Sequence, residues 1–403
     1  MYSKASLIAL FLVLFMPLHA QDFESFAQEC DTSYYNTGIT VWDLTTDSLL
    51  WSYNGQKVMR PASTQKLFTA VAALDQLTAQ HEYRTRILHT GDVTEDSLLN
   101  GDIYIVGDFD PTLKYGDIRF FAKQIKDFGI NRINGTIYAD ASMKESALYG
   151  NGWCWDDVPC NNMPYLSPLM YERGSLYPDF KSYSTDLYFN PPLYFAQTIS
   201  NELKDLGVFN AQGDSTSVCA DLGKAPADSC YEIFVNSITI GQALQHMMKT
   251  SDNLYAESMF YHLGFTWKEA SQRVLDVIRK TGADASRVKV ADGSGVSLYN
   301  YSCADTEVAL LRYAFQNPNI YTYLYHSLPI AGMDGTLEKR MISGPAFGNV
   351  HAKTGTVTGC SCLAGYVTAS NGHILAFSIM NNGVMTASVG RNFQDRLCQE
   401  LAK

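Results

Sequence analysis

Beyond its first twenty residues the chain has no apolar run long enough to cross a bilayer, which takes roughly 20 residues, and this excludes a multi-span membrane protein. Basic charge is also scarce: Lys and Arg number 30 against 41 Asp and Glu, for a net charge of −11. A field of that sign repels phosphate backbones, so nucleic acid is excluded as a partner. The 8 histidines are scattered, with no ligand-like spacing beside a cysteine pair, which argues against a zinc site. No G-x-S-x-G elbow occurs, and an α/β-hydrolase needs one. No internal repeat stands out. Charged residues make up only 18% against 46% hydrophobic, the balance of a globular chain, and 403 residues suffice for two domains or one large one.

What is present begins at the N-terminus. Lys4, the apolar run Leu7 to Met16 and the small-residue exit Leu18-His19-Ala20 read as a secretory signal peptide, residues 1–20, cut after Ala20. The competing reading is a retained anchor, but the run is shorter than a span requires. No cysteine follows it, which argues against lipid attachment, so membrane association is at most peripheral. Nine cysteines suit an oxidising compartment. Cys154 with Cys160, and Cys219 with Cys230, are candidate disulfides, although connectivity cannot be read from sequence.

Residues 38–54 read as a hairpin, and a helix follows from Ser63 to about Leu77 with Leu67, Ala70, Val71, Leu74 and Leu77 on one face. The chain ends in a second hairpin, Leu363 to Thr368 and Ile374 to Met380 around Ser370-Asn371-Gly372, and a helix carrying Val389, Phe393, Leu397 and Leu401. Strands at both ends with helices between them predict one antiparallel sheet that joins the termini, an α+β arrangement with helices packed on it. Residues 83–190 differ in texture. They read as strands and turns around one helix and then as a stretch rich in Tyr, Pro, Asn and Gly, and we assign them to an inserted domain. That leaves 21–82 and 191–403 as a discontinuous main domain.

Three short motifs carry chemistry. Ser63-Thr64-Gln65-Lys66 places a hydroxyl and an amine on one face of a helix start, beside free backbone N–H groups, as an activated nucleophile and its base require. Alone, Ser63 reads equally as an N-cap. Ser251-Asp252-Asn253 joins two helical segments. Its hydroxyl suits proton relay and its amide suits holding a peptide group, or the segment is another polar cap. Lys353-Thr354-Gly355 precedes the terminal strands. A cation and a hydroxyl one residue apart can meet an anion, and Gly355 clears space for a ligand backbone, or Lys353 is a solvated edge lysine. S-x-x-K, S-D-N and K-T-G in this order form the known signature of class A β-lactamases and penicillin-binding proteins.

The flanks extend the likeness. Pro61 to Leu67, Ser251 to Glu257, Asp292-Gly293-Ser294-Gly295-Val296-Ser297, and His351 to Thr356 followed by Leu363-Ala364-Gly365-Tyr366 resemble the D-Ala-D-Ala carboxypeptidase/endopeptidase family of penicillin-binding proteins, the penicillin-binding protein 4 type of low-molecular-mass class C. Within the insertion, Gly101-Asp102-Ile103-Tyr104 and Asp110-Pro111-Thr112-Leu113 match as well. The chain departs from the family at Gly107-Asp108-Phe109-Asp110, where a Gly-rich approach is usual. It also departs at 158–190, too short for the nested third domain, which is therefore reduced or absent. The resemblance implies a β-lactamase/transpeptidase-like domain, its antiparallel sheet covered by helices on both sides and interrupted by a strand-rich insertion.

It also implies an activity. Ser63 forms an acyl-enzyme, Lys66 takes its proton with a pKa lowered by burial and by Lys353, and Ser251 relays the proton to the leaving amine. Asn253 holds the substrate amide, Lys353 and Thr354 bind the terminal carboxylate, and the N–H groups of Ser63 and Thr356 form the oxyanion hole. Asp157, in Trp155-Asp156-Asp157, meets the stem-peptide amine or is a turn carboxylate. No metal or organic cofactor is required. The implied partners are peptidoglycan stem peptides, with β-lactam antibiotics as covalent inhibitors, in the periplasm. The rivals are a serine β-lactamase, for which no clear E-x-x-L-N is seen, and a catalytically silent cell-wall binding module, which intact motifs argue against.

Overall fold

The computed structural model describes residues 23–157, 160, 162–175, 187, 189–213 and 215–403. The signal peptide expected at 1–20 lies outside the described residues, as do parts of 158–190. The main sheet has five strands in the order His351–Val357, Cys360–Thr368, Ile374–Asn382, Asn36–Asp43, Ser48–Tyr53. Every neighbouring pair is antiparallel, and Ile39 opposite Ile379 ties the start of the chain to its end, as the two terminal hairpins predict.

Successive side chains on a strand point to opposite faces, and both faces here are covered. Leu363, Phe377 and Ile379 meet Phe26 of the Phe23–Thr32 helix and Phe393, Leu397 and Leu401 of the Ala387–Leu401 helix. Their neighbours Ala364, Tyr366 and Ala376 face a helical layer. At its centre lies the Gln65–Gln76 helix, whose residues 65 to 74 are all buried. A helix buried all round belongs to the core, so Lys66 enters the structure already stripped of water.

A second five-stranded sheet runs Cys219–Leu222, Thr136–Asp140, Ile103–Val106, Glu82–His89, Tyr231–Thr239. Helices Tyr115–Asp127 and Pro191–Asp205 pack on it through Ile118, Phe121, Phe195 and Ile199. The elements sharing this core therefore span 82 to 239, past the break at 190 that composition suggests. Periodicity marks Leu193 to Leu206 as helical but does not say which core the apolar face meets. Phe109, Leu166 and Met170 of this region join the helical core of the main domain, so the two parts share a packed boundary.

The cysteine expectation needs correction, because all nine are free thiols. Cys219 lies on one edge strand of the second sheet and Cys230 adjoins the opposite edge strand. Four strand spacings amount to roughly 19 Å, far beyond the roughly 4–7 Å between Cα atoms that a bridge spans. Cys160 instead points its thiol at the Asp157 carbonyl, 3.4 Å away.

Candidate active site

Ser63 sits in a 3-10 turn, Ala62–Thr64, that leads into the buried helix. Ala62 has φ +50°, a strained conformation for a residue with a Cβ. Two glycines hold the turn from opposite sides. A side chain at Gly295 would strike Ala62 O at 1.9 Å, and one at Gly355 would strike Pro61 O at 2.6 Å. Gly355 therefore makes room for the nucleophile's own backbone, whereas the sequence reading reserved that space for a ligand. Beneath the turn, the Thr64 hydroxyl lies 2.6 Å from Glu307 Oε1 and 2.8 Å from Pro61 O. A hydroxyl has one proton for these two acceptors. A protonated Glu307 resolves the conflict, and burial pushes that carboxyl up to about 7.

Lys66 is fully buried. Its Nζ lies 2.7 Å from Asn253 Oδ1, 2.7 Å from the Ser294 carbonyl and 3.1 Å from Ser63 Oγ. As an ammonium it donates to all three. As a neutral amine it has two protons, which the two 2.7 Å acceptors take, leaving its lone pair toward Ser63. Burial lowers its pKa from 10.5 to about 8, against the pull of Asp292, Glu257 and Asp252. Among the described residues no carboxylate is hydrogen-bonded to Ser63.

Ser251 ends the Ile240–Thr250 helix in the left-handed region, φ 61° and ψ 37°, where glycine or asparagine is usual. That turn brings its Oγ within 2.8 Å of Lys353 Nζ. Asp252 caps the next helix through Tyr255 N, which frees Asn253 to face Lys66. The other side of the Asn253 amide donates to Asn162 O at 3.3 Å and Met163 Sδ at 3.1 Å, both in the inserted region.

That region makes a second contact with the loop: Arg173 grips Asp252 through two bonds of 2.8 and 3.1 Å, and His246 adds a third at 3.2 Å. Burial opposes the charge, but these partners hold the Asp252 carboxyl well below the usual range. A depressed carboxyl stabilises the fold above the unfolded pKa of about 4 and loses that contribution as pH falls through the folded value. Arg173→Ala should thus lower the melting temperature at neutral pH, by a loss on the order of 3 kcal/mol for a broken buried pair. The gap from wild type should narrow below about pH 4. Thermal melts across pH test this, and a mutant that melts like wild type at neutral pH removes the clamp.

The strand His351–Val357 is an edge of the main sheet and lies against the nucleophile turn. Lys353 is fully buried, and burial followed by the charge of Lys66 drives its pKa well down. The sequence reading has Lys353 depress Lys66. Lys66 in turn depresses Lys353, so each buried lysine disfavours the charge of the other. Thr354 donates to Thr336 Oγ1 at 2.8 Å, and Thr356 is exposed on the same strand. The Asp157 carboxylate accepts from Cys154 N at 2.9 Å, the bond of a turn carboxylate.

Ser63, Lys66, Ser251, Asn253 and Lys353 thus converge through direct hydrogen bonds or shared electrostatics. Ser294, Glu257, Arg173, Thr336 and Glu307 join them without having been assigned a site role from sequence. For Ser294 and Glu257 the signal was available in the two motif flanks that carry them.

A serine whose hydroxyl faces a buried lysine amine, on a helix-covered antiparallel sheet, is an arrangement that suits a serine peptidase. The model of the D-Ala-D-Ala carboxypeptidase 3 (S13) family matches residues 19–186 and 184–403, and the chain belongs to that family. It is 28% identical over 424 residues to a D-alanyl-D-alanine carboxypeptidase of Haemophilus influenzae, covering 88% of this chain and 87% of the other. It is 29% identical over 425 residues to a D-alanyl-D-alanine carboxypeptidase of an Actinomadura species, covering 86% and 78%. The crystal structure of penicillin binding protein 4 from Haemophilus influenzae matches with a TM-score of 0.84 at 25% identity, over 95% of this chain and 99% of that one.

Proposed function

We propose that this protein is a penicillin-sensitive D-Ala-D-Ala carboxypeptidase or DD-endopeptidase that acts on peptidoglycan stem peptides outside the cytoplasmic membrane, in the periplasm. The observation that carries this reading is the orientation of Lys66, whose two short acceptors leave a lone pair for the Ser63 proton. Ser63 Oγ attacks the carbonyl of the penultimate D-Ala, and its proton passes to Lys66. The N–H groups of Ser63 and Thr356 stabilise the developing oxyanion, with Gly355 letting the strand close on the turn. Ser251, bonded to Lys353, relays the proton taken up by Lys66 to the departing D-Ala amine, which returns Lys66 to its neutral form. Asn253 holds the substrate amide in place of its contacts with Asn162 and Met163. Water then releases the acyl group and restores Ser63. β-Lactams acylate the same serine. Asp157 keeps one carboxylate oxygen for a stem-peptide amine. The domain division that fits this reading is an acyltransferase part, up to about 82 and from about 240, around an inserted part that supplies Arg173 and Met163.

Lys353 and Thr354 bind the terminal carboxylate. A buried lysine with a depressed pKa takes up a proton when an anion arrives, so the site pairs charge only when substrate fills it. Amidating the terminal D-Ala should therefore cost roughly ten- to a hundredfold in kcat/KM, from the about 1.5–3 kcal/mol of a charge-assisted hydrogen bond. Lys353→Ala should lose activity on the acid yet discriminate less between acid and amide. Equal wild-type rates on both would mean that the terminus is not read, and would favour an internal cross-link as substrate.

A further inference from the structure

Lys66 can present its lone pair to Ser63 only if both other acceptors stay fixed. Asn253 is one, and it sits on the first turn of the Asn253–Tyr261 helix. The other is a backbone carbonyl, Ser294 O, in the Asp292–Ser297 loop, which is neither helix nor strand. Something must hold that loop. Glu257, one turn after Asn253 and on the same helix face, is almost fully buried. Its Oε1 accepts from Ser294 N at 2.8 Å and Gly293 N at 3.1 Å, and its Oε2 lies 3.2 Å from Gly293 N. Asp292 braces the far side of the loop through Gly295 N at 2.8 Å, Ser297 N at 2.6 Å and Trp153 Nε1 at 3.0 Å.

We propose that Glu257 is a positioning residue for the base: its carboxyl anchors the N–H groups of Gly293 and Ser294, just before the Ser294 carbonyl that receives Lys66, so that a single helix sets one acceptor of the lysine directly and the other through the loop. The inference rests on the reading of Lys66 as the base of Ser63. It also has an electrostatic side. Around Lys66 stand Lys353 from the edge strand, Asp252 from the loop, and Glu257 and Asp292 from below. Lys144, Tyr261 and Asp292 face Glu257. A negative charge on Glu257 raises the proton affinity of Lys66, and burial together with Asp292 opposes that charge. The carboxyl thus acts on the base both through the loop and through its charge.

Two variants separate these effects. Glu257→Gln keeps an Oε1 that accepts both N–H groups and deletes the charge. Its acylation by benzylpenicillin should stay near wild type at high pH, while the acid limb of the rate profile moves down by about 0.5 pH unit or more. Glu257→Ala deletes the acceptor as well. Its kcat on a D-Ala-D-Ala peptide should fall roughly ten- to a hundredfold with KM little changed, and Glu257→Gln should rescue it. Stopped-flow acylation across pH, with thermal melts alongside, reads both. A Gln variant whose pH profile superimposes on wild type, or an Ala variant that acylates at the wild-type rate, overturns the proposal. If the Ala variant does not fold, the Gln profile alone decides. A wild-type enzyme that is not acylated at all overturns the reading of Ser63 and Lys66 instead, so the two failures are distinguishable.

Discussion

Ser63→Ala is expected to abolish covalent labelling by benzylpenicillin while the protein stays folded. In the proposed mechanism the hydroxyl oxygen becomes bonded to the opened lactam, and among the described residues no other serine hydroxyl is hydrogen-bonded to Lys66. Ser251 Oγ is held by Lys353, and the Ser294 hydroxyl points at Asp292, 3.4 Å away. Loss of acylation should be on the order of 10⁴-fold or more, as when a nucleophile is removed from a concerted set. The fold should tolerate the change, because the turn is held by Gly295, Gly355 and the Thr64–Glu307 contact rather than by Oγ. Mass spectrometry of intact protein checks the outcome. A long-lived adduct on wild type and none on the mutant fits the proposed peptidase. Rapid turnover of the drug fits a β-lactamase, and no wild-type adduct fits a silent binding module. Labelling that persists in the mutant would transfer the nucleophile to another residue.

The frame around this serine was legible because its signals are local. Alternating apolar residues and the Ser370-Asn371-Gly372 turn announce the terminal hairpin, and i, i+3, i+4 spacing announces the buried helix. Three motifs in order then mark Ser63, Lys66, Ser251, Asn253 and Lys353. What was not legible depends on contacts between distant segments. Strand Tyr231–Thr239 is nowhere fully buried, so it carries no clean alternation to read. The Trp267–Lys280, Ala304–Gln316 and Pro318–Ser327 helices went unassigned, and with them the place of Glu307. Arg173 has no motif around it and meets Asp252 across 79 residues of sequence. Gly355 announces a close approach but not its partner, which proves to be the nucleophile turn. The coupling of two buried lysines depends on how close the fold brings them, and spacing along the chain does not contain it.

That coupling matters for the base. Burial and the charge of Lys66 hold the pKa of Lys353 well down, so the two amines resist being charged together. In the proposed mechanism an incoming carboxylate favours a charged Lys353, and that charge favours the neutral form of Lys66. On that reading, binding of the terminus and activation of the nucleophile are linked through two lysines in one buried site.

Lys66→Ala should accordingly lower the acylation rate by roughly 10²- to 10⁴-fold, the usual worth of a positioned general base. The wild-type rate should also climb as pH rises through about 8, where burial places the loss of the Lys66 proton. The sign follows from the role. A base acts in its neutral form, and burial disfavours the charged form of a lysine, so the active state gains population at lower pH than in an exposed lysine. In the mutant this limb should vanish, leaving a low rate that is flat from about pH 6 to 9. Asn253 and Ser294 O lose their shared donor in the mutant, so a modest drop in melting temperature accompanies the change. Stopped-flow acylation by a chromogenic β-lactam over that range measures rate and limb together. Near-native acylation at neutral pH would assign the proton to another group, with Ser251 and Lys353 the next candidates in the hydrogen-bonded set. A slow mutant that kept the limb at about 8 would show that the titration belongs elsewhere even though Lys66 accelerates the reaction.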